Sequence, residues 1–166
     1  MSADEFIVTP WHVEGDIDYD KLIEKFGTQK ISPKLLEKIK SMTDEDHFML
    51  RRGIFFSHRE MDRILEDYEK GNEFFLYTGR GPSGHTHIGH LVPWVFAKWL
   101  QDKFDVNLYF QLTDDEKFYS KTNLNLEETK NFAYENALDF IALGFNPEKT
   151  KIIINTENIQ TLYPIA

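Results

Sequence analysis

From residue 73 onward the apolar residues alternate between the continuous runs typical of strands and the spacing typical of helices. Short runs of β-branched and aromatic residues predict strands at 74–78, 107–112 and 151–155. Between them, apolar residues three and four positions apart predict helices at 87–103 and 126–143. Strands that alternate with helices build a parallel sheet with helical crossovers. The pattern therefore predicts an α/β fold in which residues 73–166 form the first half of a Rossmann-like parallel sheet, β-α-β-α-β.

The two crossover helices are expected to pack on this sheet through apolar faces. The second helix follows Asn125, a typical N-cap residue, and ends at Gly144. Pro93 inside the first helix predicts a bend or a later helix start. The face predicted for the first helix consists of Ile88, Leu91, Val92, Val95, Phe96, Trp99 and Leu100. The face predicted for the second consists of Ala133, Ala137, Phe140 and Ile141.

Residues 1–72 are predicted to be an N-terminal extension built of a hairpin and helices. Residues 6–13 are apolar enough for a short strand or hairpin, interrupted by Pro10. Ser32 and Pro33 predict the start of a helix over 33–42. The segment from Ser57 to Glu60 has the pattern of a capping box before a second helix.

Composition limits the kind of protein further. The chain has 166 residues, 41% of them hydrophobic, enough for the core of one ordinary domain. It contains no cysteine, which excludes disulfides, thiolate metal sites and cysteine nucleophiles. No apolar run is long enough to span a membrane, and the first residues are acidic where a signal peptide is basic. We therefore expect a cytoplasmic protein. Its net charge of −9 means that any contact with nucleic acid needs a local basic patch.

The segment from His87 to His90, after the first predicted strand and a glycine-rich turn, is a candidate nucleotide-phosphate site. The free N–H groups at the start of a helix attract phosphate. His87 and His90 are three residues apart and share one helix face. Gly89, which has no Cβ, lets a flat ligand lie against the helix.

A second polar cluster, Gln111 to Lys117, follows the second strand. Ligands of open α/β sheets gather at the carboxyl ends of strands, so this cluster is expected beside the glycine-rich turn. Its acids also fit a plain structural role, because Thr113 can cap a short helix whose positive end favours them. Tyr77, Gln111 and Glu116 together offer a hydroxyl, an amide and a carboxylate to a flat apolar ligand with one polar group. No metal-binding cluster is apparent in the sequence.

These motifs resemble the eukaryotic-type tryptophanyl-tRNA synthetases. The resemblance rests on Tyr77–Ser83, His87–His90 and Gln111–Lys117, and extends upstream through 8–11, 17–23 and 50–59. It implies a class I aminoacyl-tRNA synthetase that joins ATP, with Mg²⁺, and tryptophan into tryptophanyl-adenylate and then charges tRNA(Trp). It also implies a homodimer.

The resemblance also implies roles for particular residues. The implied catalytic residues are His87, His90, Arg80 and Lys117. The implied nucleotide-binding residues are Gly79, Arg80, Gly81, His87, Gly89, His90 and Trp11. Tyr77, Gln111 and Glu116 are implied to recognise tryptophan, and no residue is implied to hold a metal.

The chain departs from the family in its length. A complete member continues through a second Rossmann half, which carries a lysine- and serine-bearing loop, and an anticodon-binding domain. We therefore expect a fragment that turns over poorly by itself. Three alternatives stay open: a tyrosyl-type synthetase, a nucleotidylyltransferase with an HxGH motif, and a non-catalytic binding module derived from a synthetase.

Overall fold

A computed structural model describes residues 18–165 and, before them, only the backbone pairing of two short strands. The chain divides into a unit of residues 1–70 and a unit of residues 71–166. The sequence places its boundary two residues later, at 72/73, and that boundary stays a prediction. No helix of the described residues is long and apolar enough to cross a membrane.

The first unit combines short antiparallel ribbons with helices. Its elements are β1 (Ile7–Val8), β2 (Val13–Glu14), α1 (Tyr19–Phe26), β3 (Gln29–Lys30), α2 (Pro33–Thr43), α3 (Phe48–Arg51), β4 (Ser57–His58) and α4 (Met61–Glu69). β1 pairs with β2, and β3 pairs with β4. The pairing of β1 with β2 confirms the predicted hairpin, whereas Pro10 and Trp11 lie outside the described residues.

The sequence predicts the start of α2 correctly, but not the starts of α1 and α4. Ser32 caps α2 as predicted, because its hydroxyl accepts the N–H of Leu35 at 3.2 Å. The capping box at Ser57 is wrong, since Ser57 is extended in β4 and the Nδ1 atom of His58 accepts the N–H of Met61 at 3.2 Å instead. Helix α1 was not predicted, although Asp18 accepts backbone N–H groups at its start.

The second unit is a parallel sheet with helical crossovers. Its elements are β5 (Phe75–Arg80), α5 (Ile88–Phe104), β6 (Asn107–Leu112), α6 (Asp114–Ser120), α7 (Leu126–Ile141), β7 (Thr150–Ile154) and α8 (Asn155–Leu162). The strands lie in the order β5-β6-β7 and all pair in parallel. The predicted order of strands and helices, and with it the Rossmann-like half-sheet, is confirmed.

The core of this unit is a group of aromatic and aliphatic side chains between the sheet and the crossover helices. Its largest members are Trp94, Phe110, Phe140 and Phe145. Phe110 and Phe140 stack with their ring centroids 3.8 Å apart. These side chains fix the sheet against α5 and α7, and so position the ends of the strands.

The predicted inner face of α5 is wrong in part. Trp94 and Ala97 enter the core, whereas Ile88 at the start of the helix is 80% exposed. Apolar residues surround α5, so their spacing alone did not identify the buried side. The buried Gln101 bonds to Thr150 and to Asn146, which turns its side of the helix toward β7. The helix begins at Ile88, next to the predicted start at 87, and continues through Pro93, while a bend at Pro93 stays a prediction.

On α7, the cap at Asn125 and the burial of Ala133, Ala137 and Phe140 are confirmed. Ile141 is 54% exposed, so its placement on the inner face is wrong. Phe140 and Phe145 fill the adjoining core by stacking on each other at 4.0 Å.

Candidate active site

The carboxyl ends of the three parallel strands meet at one edge of the sheet. Arg80 pairs in register with Leu112, and Leu112 pairs with Ile154. The N–H of Thr113, directly after β6, donates to the carbonyl of Arg80 at 3.1 Å. The loop after β5, the start of α6 and the start of α8 therefore begin beside one another.

Arg80 holds the loop that connects β5 to α5. Its guanidinium donates to the hydroxyl of Thr86 at 2.9 Å and to the carbonyls of Gly84 and His85 at 3.1 and 2.9 Å. The buried Asn136 of α7 donates to the same Gly84 carbonyl at 3.1 Å. Burial lowers the pKa of Arg80, but a guanidinium stays charged at neutral pH. This arginine thus shapes the loop that precedes the two histidines.

We expect Arg80→Lys to loosen this loop, because one ammonium cannot satisfy three acceptors in a fork. The expected loss in the free energy of unfolding is about 1 kcal/mol, measured by urea denaturation. Arg63→Lys is the matched control, since the side chain of Arg63 is 72% exposed. Equal losses in the free energy of unfolding in Arg80→Lys and Arg63→Lys would contradict the conclusion that Arg80 holds the loop.

His87 and His90 form a reciprocal cap at the start of α5. The Nδ1 atom of His87 accepts the N–H of Gly89, and the Nδ1 atom of His90 accepts the N–H of His87, each at 3.2 Å. The two rings lie 3.8 Å apart, between centroids. A neutral imidazole that accepts at Nδ1 carries its proton on Nε2. Each ring therefore has an Nε2–H group left to donate to a ligand.

Protonation of His90 would disturb this cap. Burial lowers the pKa of His90 below its ordinary value, and the positive charge of Arg80 lowers it further. Its neutral form therefore predominates at pH 7.

Because the folded-state pKa is the lower one, the unfolded chain takes up this proton first as the pH falls. The contribution of His90 to stability is complete above about pH 6.5 and is lost as the pH falls through the folded-state pKa. We expect His90→Gln to flatten the dependence of stability on pH between 7.5 and 5.5, measured by urea unfolding. Gln160→Ala, at an exposed residue without a titratable group, is the control that should retain it.

Lys117 extends from α6 toward the same loop, and Glu116 lies beside it. A Cβ atom added to Gly81 would lie 1.9 Å from Cε of Lys117, so the missing side chain leaves room for the lysine. The Lys117 ammonium lies 3.0 Å from the carboxylate of Glu116. Glu116 also accepts the hydroxyl of Thr113 at 3.3 Å. The structure thus joins Glu116 to Lys117 and Thr113, while Tyr77 and Gln111 form a separate pair.

Tyr77 and Gln111 lie on adjacent strands, and the Tyr77 hydroxyl donates to Oε1 of Gln111. Nε2 of Gln111 donates to Oδ1 of Asn155 at 2.7 Å. Gln111 and Asn155 also border a cavity of about 390 Å³, whose other side is formed by Ile159 and Leu162 of α8. A polar pair beside apolar side chains suits a flat ligand with one polar group.

Two site residues were missed in the sequence. Asn155 directly follows β7, so the rule that ligands gather at strand ends could have found it. Asn136 lies on the inner face of α7 with Ala133 and Ala137, where a buried amide requires a partner. No group of three or more possible metal ligands occurs within the described part of the chain.

A family model described as tRNA synthetases class I (W and Y) matches residues 69–165. Since this match covers more than half of the chain, the chain belongs to the class I tRNA synthetases of the tryptophan and tyrosine kind. Its relatives include the tryptophan–tRNA ligase of Sulfurisphaera tokodaii, to which it is 60% identical over 165 residues. It is 59% identical over 155 residues to the tryptophan–tRNA ligase of Pyrococcus furiosus. These alignments cover 99% and 93% of this chain.

Among solved structures, the chain is similar to the tryptophanyl-tRNA synthetase of Plasmodium falciparum, with a TM-score of 0.85 and 47% identity. That comparison covers 89% of this chain and 42% of the other. The chain spans 43% and 40% of the lengths of the S. tokodaii and P. furiosus ligases. The resemblance to tryptophanyl-tRNA synthetases is confirmed, and its eukaryotic-type qualification stays a prediction.

Proposed function

We propose that this chain supplies the tryptophan- and ATP-binding part of a tryptophan–tRNA ligase. The observation that carries the proposal is the bonded pair of Tyr77 and Gln111 beside the apolar cavity. The indole ring of tryptophan is flat and apolar except for one N–H group. An acceptor such as Oε1 of Gln111 would pair with that group, and would stay unpaired with a phenylalanine side chain.

The proposed nucleotide site is the start of α5. The Nε2–H groups of His87 and His90 would donate to the phosphates of ATP, beside the loop held by Arg80. The tryptophan carboxylate would attack the α-phosphorus in line, and the bond to the bridging oxygen would break to release pyrophosphate. This step needs alignment and hydrogen-bond donors at the phosphoryl oxygens, and it needs no covalent nucleophile from the protein. Lys117, which packs against Gly81, is a further cation for that charge. Mg²⁺ would arrive with the phosphates, and we assign it no protein ligand.

The other roles follow the family resemblance. We propose that Gly79, Gly81 and Gly89 belong to the segments that border the nucleotide and that Glu116 contributes to tryptophan recognition. Transfer to tRNA(Trp), a homodimer and a cytoplasmic location belong to the same proposal for the whole protein.

Calorimetric titration of the chain with tryptophan, tyrosine and ATP tests the proposal. We expect binding that favours tryptophan over tyrosine, and Gln111→Ala should weaken tryptophan binding by about tenfold or more. Gln160→Ala is the matched control, because Gln160 is exposed on α8. Binding of tyrosine alone would select the tyrosyl-type alternative. Absence of binding to all three ligands would contradict a site formed within this chain and favour the non-catalytic module.

A further inference from the structure

A chain of hydrogen bonds runs from the proposed tryptophan site to the start of α6. The Tyr77 hydroxyl donates to Gln111, and Nε2 of Gln111 donates to Oδ1 of Asn155 at 2.7 Å. Nδ2 of Asn155 donates to Oδ1 of Asp115 at 2.8 Å. The same Asp115 oxygen accepts the backbone N–H of Glu116 at 2.8 Å. Three side chains thus connect Tyr77 to a helix terminus.

Asp115 determines the donor-to-acceptor direction of these hydrogen bonds, and with it the orientation of the two amide side chains. An ionised carboxylate can only accept hydrogen bonds, whereas each amide offers an oxygen at one end and an NH₂ group at the other. Since Asn155 must turn its NH₂ group toward Asp115, its oxygen faces Gln111. Gln111 must then turn its NH₂ group toward Asn155, which leaves Oε1 facing Tyr77. The hydroxyl of Tyr77 can donate or accept, so it does not set the direction.

We propose that Asn155, held by Asp115, is a positioning residue that fixes the side-chain amide of Gln111 with its oxygen toward the amino-acid ligand. This inference rests on the proposed function, because it concerns how the site selects an indole N–H. With the amide reversed, the NH₂ group of Gln111 would face the indole N–H, and two donors would oppose each other. Neither Asn155 nor Asp115 needs to touch the ligand for this effect.

Two variants and a matched control test the orientation. Asn155→Leu removes both bonds of the middle amide at similar size. Asp115→Asn keeps the shape of the side chain but replaces a carboxylate, which can only accept hydrogen bonds, by an amide that can also donate. The amide of Asn155 is then no longer forced into one orientation. Asn158→Leu is the control, because Asn158 also lies on α8 and donates to the Ile154 carbonyl at 2.8 Å, outside this chain of bonds.

The first measurement is the NMR signal of the Gln111 side-chain NH₂ group in the ligand-free chain. In the parent and in Asn158→Leu we expect a hydrogen-bonded resonance, distinct from that of the exposed Gln160. In Asn155→Leu the Gln111 resonance should move toward that of Gln160, and Asp115→Asn should give an intermediate shift. A Gln111 resonance unchanged in Asn155→Leu would overturn the proposed orientation. The backbone spectrum identifies a variant that fails to fold, in which case Asp115→Asn decides.

The second measurement compares tryptophan with an analogue in which sulfur replaces the indole N–H. The parent and Asn158→Leu should prefer tryptophan by about tenfold, the value of one hydrogen bond. Asn155→Leu should lose most of this preference while still binding the analogue. Full preference in Asn155→Leu would overturn the inference. If the parent binds neither ligand, the proposed function fails for this chain, and the NMR signals still decide the orientation of Gln111.

Discussion

Phe140→Ala is expected to reduce the free energy of unfolding by about 3–5 kcal/mol, the largest effect we expect from a single substitution. Phe140 is fully buried. Its ring stacks on Phe110 at 3.8 Å and on Phe145 at 4.0 Å, and meets the edge of Trp94 at 5.7 Å. Alanine would remove this contact area and leave a cavity between the rings of Phe110 on β6, Trp94 on α5 and Phe145 after α7. Typical domains are stable by only about 5–15 kcal/mol, so the loss is a large fraction of the total.

Urea denaturation of the parent and the variant measures this loss. Leu138→Ala is the matched control on the same helix, since Leu138 is 67% exposed. We expect it to change the free energy of unfolding by no more than about 0.5 kcal/mol. A loss in Phe140→Ala as small as that in the control would mean that the stacked rings do not form the core of this unit.

The order of strands and helices could be predicted from the sequence, but the buried side of one helix could not. Along α7, Ala133, Ala137 and Phe140 are buried as expected, whereas the apolar Leu138 and Ile141 are exposed. Along α5 apolar residues lie on every side, so their spacing does not identify one face. The burial of Gln101 depends on bonds to Thr150 and Asn146, which are far away in the sequence.

The candidate site likewise has features that the sequence predicts and others that it does not. The spacing of His87 and His90 predicts a shared helix face, and the structure does bring the two rings together. His87 is, however, the extended N-cap before α5, so the reciprocal cap and not helical spacing places its ring beside His90. The two partners of Gln111, Tyr77 on β5 and Asn155 at the start of α8, are distant in sequence, and the register of β6 with β5 and β7 brings them to it. Likewise, nothing local to Arg80 indicates that its guanidinium holds the following loop instead of pointing freely toward a phosphate.

Gly79→Ala is expected to disturb both the sheet and the proposed tryptophan site. A Cβ atom at Gly79 would lie 2.2 Å from the backbone carbonyl oxygen of Gln111, its register partner on β6. A backbone atom between paired strands cannot move aside as a flexible side chain can, so β5 and β6 must separate locally. We expect a loss of about 3 kcal/mol in the free energy of unfolding, at the upper end for overpacking.

The same separation would move Gln111 away from Tyr77, so tryptophan binding should weaken by about tenfold or more, as measured by calorimetry. Gly84→Ala is the matched control, because nothing lies within 4 Å of a Cβ atom added at Gly84. That control should retain both stability and tryptophan binding. If Gly79→Ala lost stability but bound tryptophan like the parent, the position of Gln111 would not depend on its pairing with β5. If it lost neither, the close approach of the two strands at Gly79 would be wrong.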